Sequence, residues 1–261
     1  MILCSVFCVL RFGAADVSTL PACRPDAGFP PPGKSLNYQR LCRTILTPET
    51  PSGTGQSLDI AAILLGLAVV LASLTVHEWA HAWTADRLGD PTARLLGRVS
   101  FNPVVHIDPV GTVLLPLVGM MTAGIVFGWA KPVPVNVSQL GNPKRDFMIV
   151  AAAGPASNLV LAVLAALVFH ATGAHETLGS TIGRAVYFAV SINVLLAVFN
   201  MLPVPPLDGG NVLAGLLPDS FAPAINMMRQ FGFLILLALI FSGVLNTVVA
   251  PVANAIERLL I

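Results

Sequence analysis

The sequence predicts an all-α polytopic membrane protein with about four to six transmembrane or re-entrant helices and short strand-like, membrane-associated segments. Three observations support this fold class. Hydrophobic residues make up 55% of the 261 residues and charged residues only 10%, whereas a soluble domain carries about 25% charge. The mean hydropathy is +0.80. The apolar residues also form long runs without the alternation typical of strands, so each run is expected to be a helix.

The same composition excludes other classes of protein. Intrinsic disorder needs low hydrophobicity and high charge, and neither is present. A net charge of +1 gives no electrostatic footprint for nucleic acid, so we expect no nucleic-acid partner. The expected surroundings are a lipid bilayer.

The first 57 residues differ from the rest of the chain. They hold all four cysteines, which form no CxxC pair, and a linker-like stretch at 47–56. We expect residues 1–57 to be a poorly ordered leader and linker with a signal-like start, and residues 58–261 to form the functional domain. A zinc module is not expected in this leader, because no histidine lies at finger spacing from the cysteines.

Beyond residue 57 the chain consists of long apolar runs joined by short polar segments. A run of about 20 residues crosses a hydrocarbon core of about 30 Å as a helix. The runs are 58–83, 109–128, 147–169, 186–202 and 231–250, followed by Pro251 and a tail at 252–261. Strand-like or loop structure is expected in the stretches 91–108 and 127–137. The prolines of the second stretch exclude a regular helix.

The first run ends in the sequence LTVHEWAHAW. His77 and His81 are four residues apart and therefore share one face of a helix. Two imidazoles on one face can bind one zinc ion, and Glu78 can then act as general base on a zinc-bound water. An ionisable group in a membrane helix costs about 2.5–3.5 kcal/mol, so these residues are expected to be functional.

A catalytic zinc site needs a third protein ligand and one open position. Asp208 is the favoured candidate, because it follows the proline-rich break after the fourth run, where the glycines at 209 and 210 let the chain turn. The other candidates are the remaining ionisable side chains of the polar segments: His106, Asp108, His170, His175 and Glu176.

A shared metal constrains the topology. Asp208 can meet His77 and His81 only if the fourth run ends on the same side of the membrane as the first, whereas four full crossings would separate them. We therefore expect the run 109–128, which Pro116 interrupts, to enter and return without crossing. Most basic residues then fall on the metal side, and the positive-inside rule places that side in the cytoplasm.

Three segments together resemble the signatures of the site-two protease family of intramembrane zinc metalloproteases. They are HEWAH, AGPASN at 153–158 and FNMLPVPPLDGG at 199–210. The stretches GRVSFNPVVHIDPVGT and FGWAKPVPVN resemble its compact bacterial branch, which lacks an inserted PDZ domain. The resemblance covers roughly residues 58–249. It implies one Zn²⁺ per chain held by His77, His81 and Asp208, with Glu78 as general base.

The resemblance further implies an endopeptidase of the bacterial cell membrane whose partners are transmembrane segments of other membrane proteins. An unwound substrate is expected to add to an edge strand within 94–102 by β-augmentation. A membrane metal transporter or channel that uses the same His and Asp residues is the alternative. An inactive binder is disfavoured, because all four groups of the site are present.

Asparagines near the motifs have two interpretations. Asn158 and Asn102 are candidates for contacting the substrate backbone or the oxyanion. The competing interpretation, for these two residues and for Asn200, is a structural hydrogen bond between or within elements.

Overall fold

The protein is described here from a computed structural model, in which residues 5–8, 60–114, 118, 126–173 and 180–261 are described. Seven α-helices lie in these ranges. They are α1 (Ile60–Arg87), α2 (Thr92–Leu95), α3 (Pro143–Ala171), α4 (Thr181–Asn200), α5 (Asp208–Leu216), α6 (Ala222–Phe241) and α7 (Val244–Leu260).

Four segments of the described residues are long and apolar enough to cross a membrane. They are Leu64–Arg87, Pro143–Ala171, Thr181–Asn200 and Asp219–Leu239. The predicted all-α polytopic fold is confirmed, and the chain is an integral membrane protein.

Side-chain caps fix where the long helices begin. Asn142 accepts a hydrogen bond from the backbone N–H of Arg145 and places Pro143 in the first turn of α3, where a missing N–H costs nothing. Ser180 accepts from the N–H of Gly183 and starts α4 in the same way. The helices therefore begin several residues before the apolar runs at 147 and 186.

Helix α4 lies at the centre of the molecule. On one side Phe188, Ile192 and Leu196 pack against Leu74 of α1. On another side its valines pack against α3 and α7, in a buried cluster that consists of Ala162, Ala166, Val190, Val194 and Ala253. Contacts between α1 and α3 run in antiparallel register, because His81 meets Val150 whereas His77 meets Asn158. Ser73 of α1 meets Asn193 of α4, and Asp208, beyond the end of α4, meets His77 and His81 farther along α1, so α1 and α4 run in the same direction.

The end of the chain differs from the expected arrangement. The sequence predicts one apolar run at 231–250 that stops at Pro251. In the structure the break lies at Gly243, which has a φ of 74°, a conformation that glycine adopts without the usual Cβ penalty. Pro251 lies inside α7, and the tail 252–261 continues that helix to Leu260. Pro251 is exposed, so its ring lies on the outer face of α7 and does not end the helix.

Two short strands are present among the described residues. β1 (Ser5–Cys8) and β2 (Val126–Trp129) pair antiparallel, with Ser5 opposite Trp129 and Cys8 opposite Val126. The predicted edge strand within 94–102 is not formed, because this stretch holds the end of α2 and a turn that closes at Gly97. Apart from β1, the predicted leader at 1–57 lies outside the described residues.

The run 109–128 is described only at its ends and at residue 118. It opens with one π-helical segment, Pro109–Leu114, and closes in β2. The rest of its middle lies outside the described residues, so the non-crossing path stays a prediction.

Candidate metal centre and active site

Two histidine nitrogens and one carboxylate oxygen converge between α1 and α5. The Nε2 atoms of His77 and His81 lie 3.0 Å apart. Oδ2 of Asp208 lies 3.2 Å from the first and 3.4 Å from the second. All three side chains are completely buried. Helical spacing explains the histidine pair, whereas the carboxylate arrives from a distant segment.

Hydrogen bonds on the far side of each imidazole orient it. Nδ1 of His77 lies 2.5 Å from Oδ1 of Asn158, and Nδ1 of His81 lies 2.7 Å from the carbonyl oxygen of Val150. A carbonyl oxygen only accepts, so each Nδ1 carries the proton and donates it. Both Nε2 lone pairs consequently point into the centre, which is the tautomer a metal requires.

A glycine makes room for this arrangement. A Cβ placed on Gly154 of α3 would lie 2.3 Å from Nε2 of His81 and 2.5 Å from Nε2 of His77. Helix α3 can therefore approach the two imidazoles only because this residue has no side chain. The next residue, Pro155, cannot donate a helical hydrogen bond to its own helix.

Asp208 is held at the first position of α5. The preceding residue, Leu207, is fully buried and packs against Phe199 and Leu236. Leu207 therefore anchors the loop between α4 and α5. A carboxylate in the first turn of a helix is also favoured by the helix dipole.

The donor set matches a zinc ion. Three lone pairs that face one another repel unless a cation lies between them. Neither carboxylate oxygen of Asp208 has a satisfied hydrogen bond within the part of the chain that the structure describes. Tetrahedral zinc with bonds of about 2.0–2.2 Å holds its donor atoms about 3.3–3.6 Å apart, close to the separations observed here. His77, His81 and Asp208 thus form a candidate metal-binding group, and they match in number the three protein ligands that a catalytic zinc site needs.

Glu78 lies beside this group. Its side chain is fully buried, and neither carboxylate oxygen has a hydrogen-bond partner among the described residues. It is near enough to His77, His81 and Asp208 for direct electrostatic interaction. Burying a carboxylate is costly, so its placement indicates a chemical role.

A family model, peptidase family M50, matches residues 65–186 and 170–241 of the chain. This chain belongs to peptidase family M50. It is 35% identical over 191 residues to a Bacillus subtilis protein named "Putative zinc metalloprotease YwhC", an alignment that covers 71% of this chain and 84% of the relative.

Mycobacterial relatives also match this M50 chain. The Mycolicibacterium smegmatis protein named "Putative zinc metalloprotease Rip2" is 34% identical over 189 residues, or 72% of this chain and 70% of the relative. Its Mycobacterium tuberculosis namesake is 30% identical over 194 residues, or 74% and 73%. No solved structure matches the chain significantly. The chain is a zinc metalloprotease, and its described residues contain no inserted PDZ domain.

The other candidate ligands of the M50 chain lie elsewhere. His106 bonds the carbonyl of Ser100 through Nε2, Asp108 caps the segment Pro109–Leu114, and His170 bonds the carbonyl of Leu260. None of them belongs to the metal-binding group. His175 and Glu176 lie outside the described residues.

The candidate asparagines contact other protein groups. Asn158 accepts from His77 and donates to Asn193, so its geometry is that of an interhelical hydrogen bond rather than of a free substrate ligand. Asn102 is exposed and caps the 3-10 helix Pro103–His106. Asn200 donates to the carbonyl of Leu196 in its own helix. The substrate or oxyanion role of Asn158 and Asn102 remains a prediction without a geometric contact here.

Sequence reasoning missed the residues that support the ligands. Gly154 was visible only as part of the AGPASN motif, and the carbonyl of Val150 carries no sequence signal at all. Asn193 and Ser73 could have been noticed as polar residues within apolar runs, where each polar side chain needs a partner.

Proposed function

We propose that this metalloprotease is a zinc-dependent intramembrane endopeptidase that cleaves peptide bonds in or near the transmembrane helices of other membrane proteins. The observation that carries the proposal is the position of the metal-binding group and Glu78. His77, Glu78 and His81 lie fully buried on the membrane-length segment Leu64–Arg87, and the buried Asp208 meets the two histidines from the first position of the short helix α5. A hydrolytic site at that depth is suited to substrates that also lie in the bilayer.

Each group has a distinct task in the proposed reaction. His77, His81 and Asp208 would hold zinc, which when bound lowers the pKa of water and polarises the scissile carbonyl. Glu78 accepts a proton from the attacking water and later delivers it to the leaving amine, so the carboxylate is regenerated. A helical substrate must first unwind, because its carbonyls are tied in helical hydrogen bonds.

The orientation in the membrane is part of the proposal. The basic residues near the metal-side ends of the helices are Arg87, Arg94, Arg98, Lys131, Lys144, Arg145 and Arg229. Arg184 and Arg258 lie toward the opposite ends. The positive-inside rule therefore favours a metal centre that faces the cytoplasm in a bacterial cell membrane. Single cysteines at Pro132 and Gly173, in a background without the natural cysteines, should be labelled from opposite faces. Labelling from one face would contradict this topology.

The central experiment compares zinc content and cleavage in the wild type and in Glu78→Gln. The substrates are single-span transmembrane peptides in lipid vesicles. Loss of the general base should leave about one zinc per chain and lower cleavage by ~10²–10⁴-fold. Asp86→Asn is the matched control, since it makes the same change on the same helix, at a residue paired with Arg94, and should cleave normally.

The same pair of variants tests the alternative of a metal transporter. A transporter has no particular need for a base beside the first histidine, so zinc flux into vesicles should survive in Glu78→Gln. Normal cleavage by Glu78→Gln would overturn the proposed mechanism. Zinc flux through the wild type without cleavage would favour the transporter. The family match does not favour it.

A further inference from the structure

We propose that a directional chain of hydrogen bonds, from His77 through Asn158 and Asn193 to Ser73, fixes the proton of His77 on Nδ1. Asn193 and Ser73 are then positioning residues of the metal centre, although neither touches it. The inference rests on the zinc dependence of the proposed function and not on the identity of the substrate.

The chain crosses three helices with short contacts at every step. Nδ1 of His77 lies 2.5 Å from Oδ1 of Asn158, whose Nδ2 lies 2.9 Å from Oδ1 of Asn193. Nδ2 of Asn193 lies 2.9 Å from Oγ of Ser73, which donates to the carbonyl of Val69 at 2.8 Å. The chain therefore links the metal ligand to the backbone of α1 by way of α3 and α4.

The far end of this hydrogen-bond chain sets its direction, because the backbone carbonyls of Val69 and Ala189 can only accept. The backbone carbonyl of Val69 only accepts, so the Ser73 hydroxyl donates there and accepts from Asn193. Nδ2 of Asn193 also lies 2.8 Å from the carbonyl of Ala189. Both N–H groups of Asn193 are thus engaged, and its oxygen must face Asn158.

The orientation of Asn193 decides that of Asn158. The Asn158 NH₂ group donates to Asn193, which leaves its oxygen to face His77. An imidazole that faces an amide oxygen must donate, so the proton lies on Nδ1 and the lone pair on Nε2. Reversing Asn158 would set its oxygen against Oδ1 of Asn193, and reversing Asn193 would set its NH₂ group against that of Asn158. Either change leaves buried polar groups unpaired at a cost of about 1–3 kcal/mol each.

Burial makes this chain effective. Asn158 is completely buried, and Ser73 and Asn193 are each 3% exposed, so water cannot replace a missing partner. Hydrogen-bond partners of metal-bound histidines typically contribute 10–100-fold to metal affinity. His81 is held by a backbone carbonyl instead. His77 is consequently the ligand whose orientation side-chain substitutions can release.

The test measures zinc affinity by competition with a chromophoric chelator, and the visible spectrum of the cobalt-substituted protein, on the full chain in detergent. Asn193→Leu should lower zinc affinity by about 10–100-fold and change the cobalt spectrum. Asn158→Leu should do the same. Asn158→Asp should bind zinc more tightly than Asn158→Leu, because a carboxylate oxygen still accepts from Nδ1 of His77. If Asn158 only filled space, these two variants of similar size would bind zinc alike.

A serine pair covers the case in which Asn193→Leu fails to fold. Ser73→Ala removes one anchor of Asn193, whereas Ser191→Ala removes a buried hydroxyl of the same kind that bonds Glu257. Zinc affinity should fall in the first variant and not in the second. Equal affinities in both variants, or a folded Asn193→Leu with wild-type affinity and spectrum, would overturn the proposal. Normal cleavage by Glu78→Gln would overturn the proposed catalytic mechanism. It would not affect the inference about the hydrogen-bond chain.

Discussion

Replacing Gly154 by alanine should empty the metal centre without unfolding the protein. The added Cβ would lie 2.3 Å and 2.5 Å from the two Nε2 atoms, and ordinary contact begins at 3.4 Å. Each ring nitrogen must therefore retreat by about 1 Å, several times the ~0.2 Å tolerance of a metal–ligand distance. His77 and His81 are both held from behind by hydrogen bonds, so neither ring can move away freely.

The fold itself should tolerate the change. Overpacking of a core costs about 1–3 kcal/mol, and alanine regains about 1 kcal/mol of helix propensity over glycine. Zinc affinity should fall by about 100-fold or more, beyond the upper end of losses seen when only a supporting residue is removed. Chelator competition measures the affinity, and circular dichroism in detergent checks the helices.

The matched control is Gly141→Ala. A Cβ there would lie 3.4 Å from Oδ2 of Asp146, an ordinary contact, so zinc affinity should stay at the wild-type value. Stoichiometric zinc bound with wild-type affinity by a folded Gly154→Ala variant would refute the close approach of α3 to the histidines. Loss of zinc in both variants would show that the effect is not specific to the site.

Three further predictions concern single residues. Asp208→Asn should lose most of its bound zinc on gel filtration, since a neutral amide oxygen is a weaker ligand, and a full complement of zinc would contradict that. Burial holds the pKa of His106 below its ordinary value of 6.5. The hydrogen bond to the backbone of Ser100 raises this pKa, and the positive charge of Arg98 lowers it further. The neutral His106 imidazole therefore stabilises the fold above pH 6.5, and this contribution is lost as the pH falls and the ring must be protonated. The melting temperature should drop more steeply toward pH 5 in the wild type than in His106→Gln. Gly243→Ala should lower thermal stability by about 1–2 kcal/mol, because its φ is 74°, and an unchanged melting temperature would argue against this break.

The histidine pair and Glu78 could be predicted from the sequence because the information is local. A spacing of four residues fixes the shared face of His77 and His81 once the segment is known to be a helix. The helix in turn follows from the apolar run. Asp208 was the favoured third ligand because it follows the proline-rich break after the fourth run, but other candidates stayed open until the resemblance to a family implied the full set, since no local pattern relates residues so far apart.

Two features could not be predicted, one because it depends on tertiary approach and one because a stronger local signal lies nearby. The need for glycine at 154 arises only when α3 lies against the imidazoles. The break at Gly243 was missed because proline is the stronger local signal for the end of a helix, so the break was predicted at Pro251. In an exposed position of α7 that proline is tolerated, whereas the positive φ of Gly243 ends one helix and starts the next.

The wide separation of the ligands in sequence ties metal binding to biogenesis. His77 and His81 are present as soon as α1 inserts, but two ligands form a weak site. The third arrives only after α3 and α4 have inserted and the loop anchored by Leu207 has docked. Closing so long a segment of chain carries an entropic cost that grows slowly with its length. The chain can therefore bring all three groups to one metal ion only once these helices have assembled.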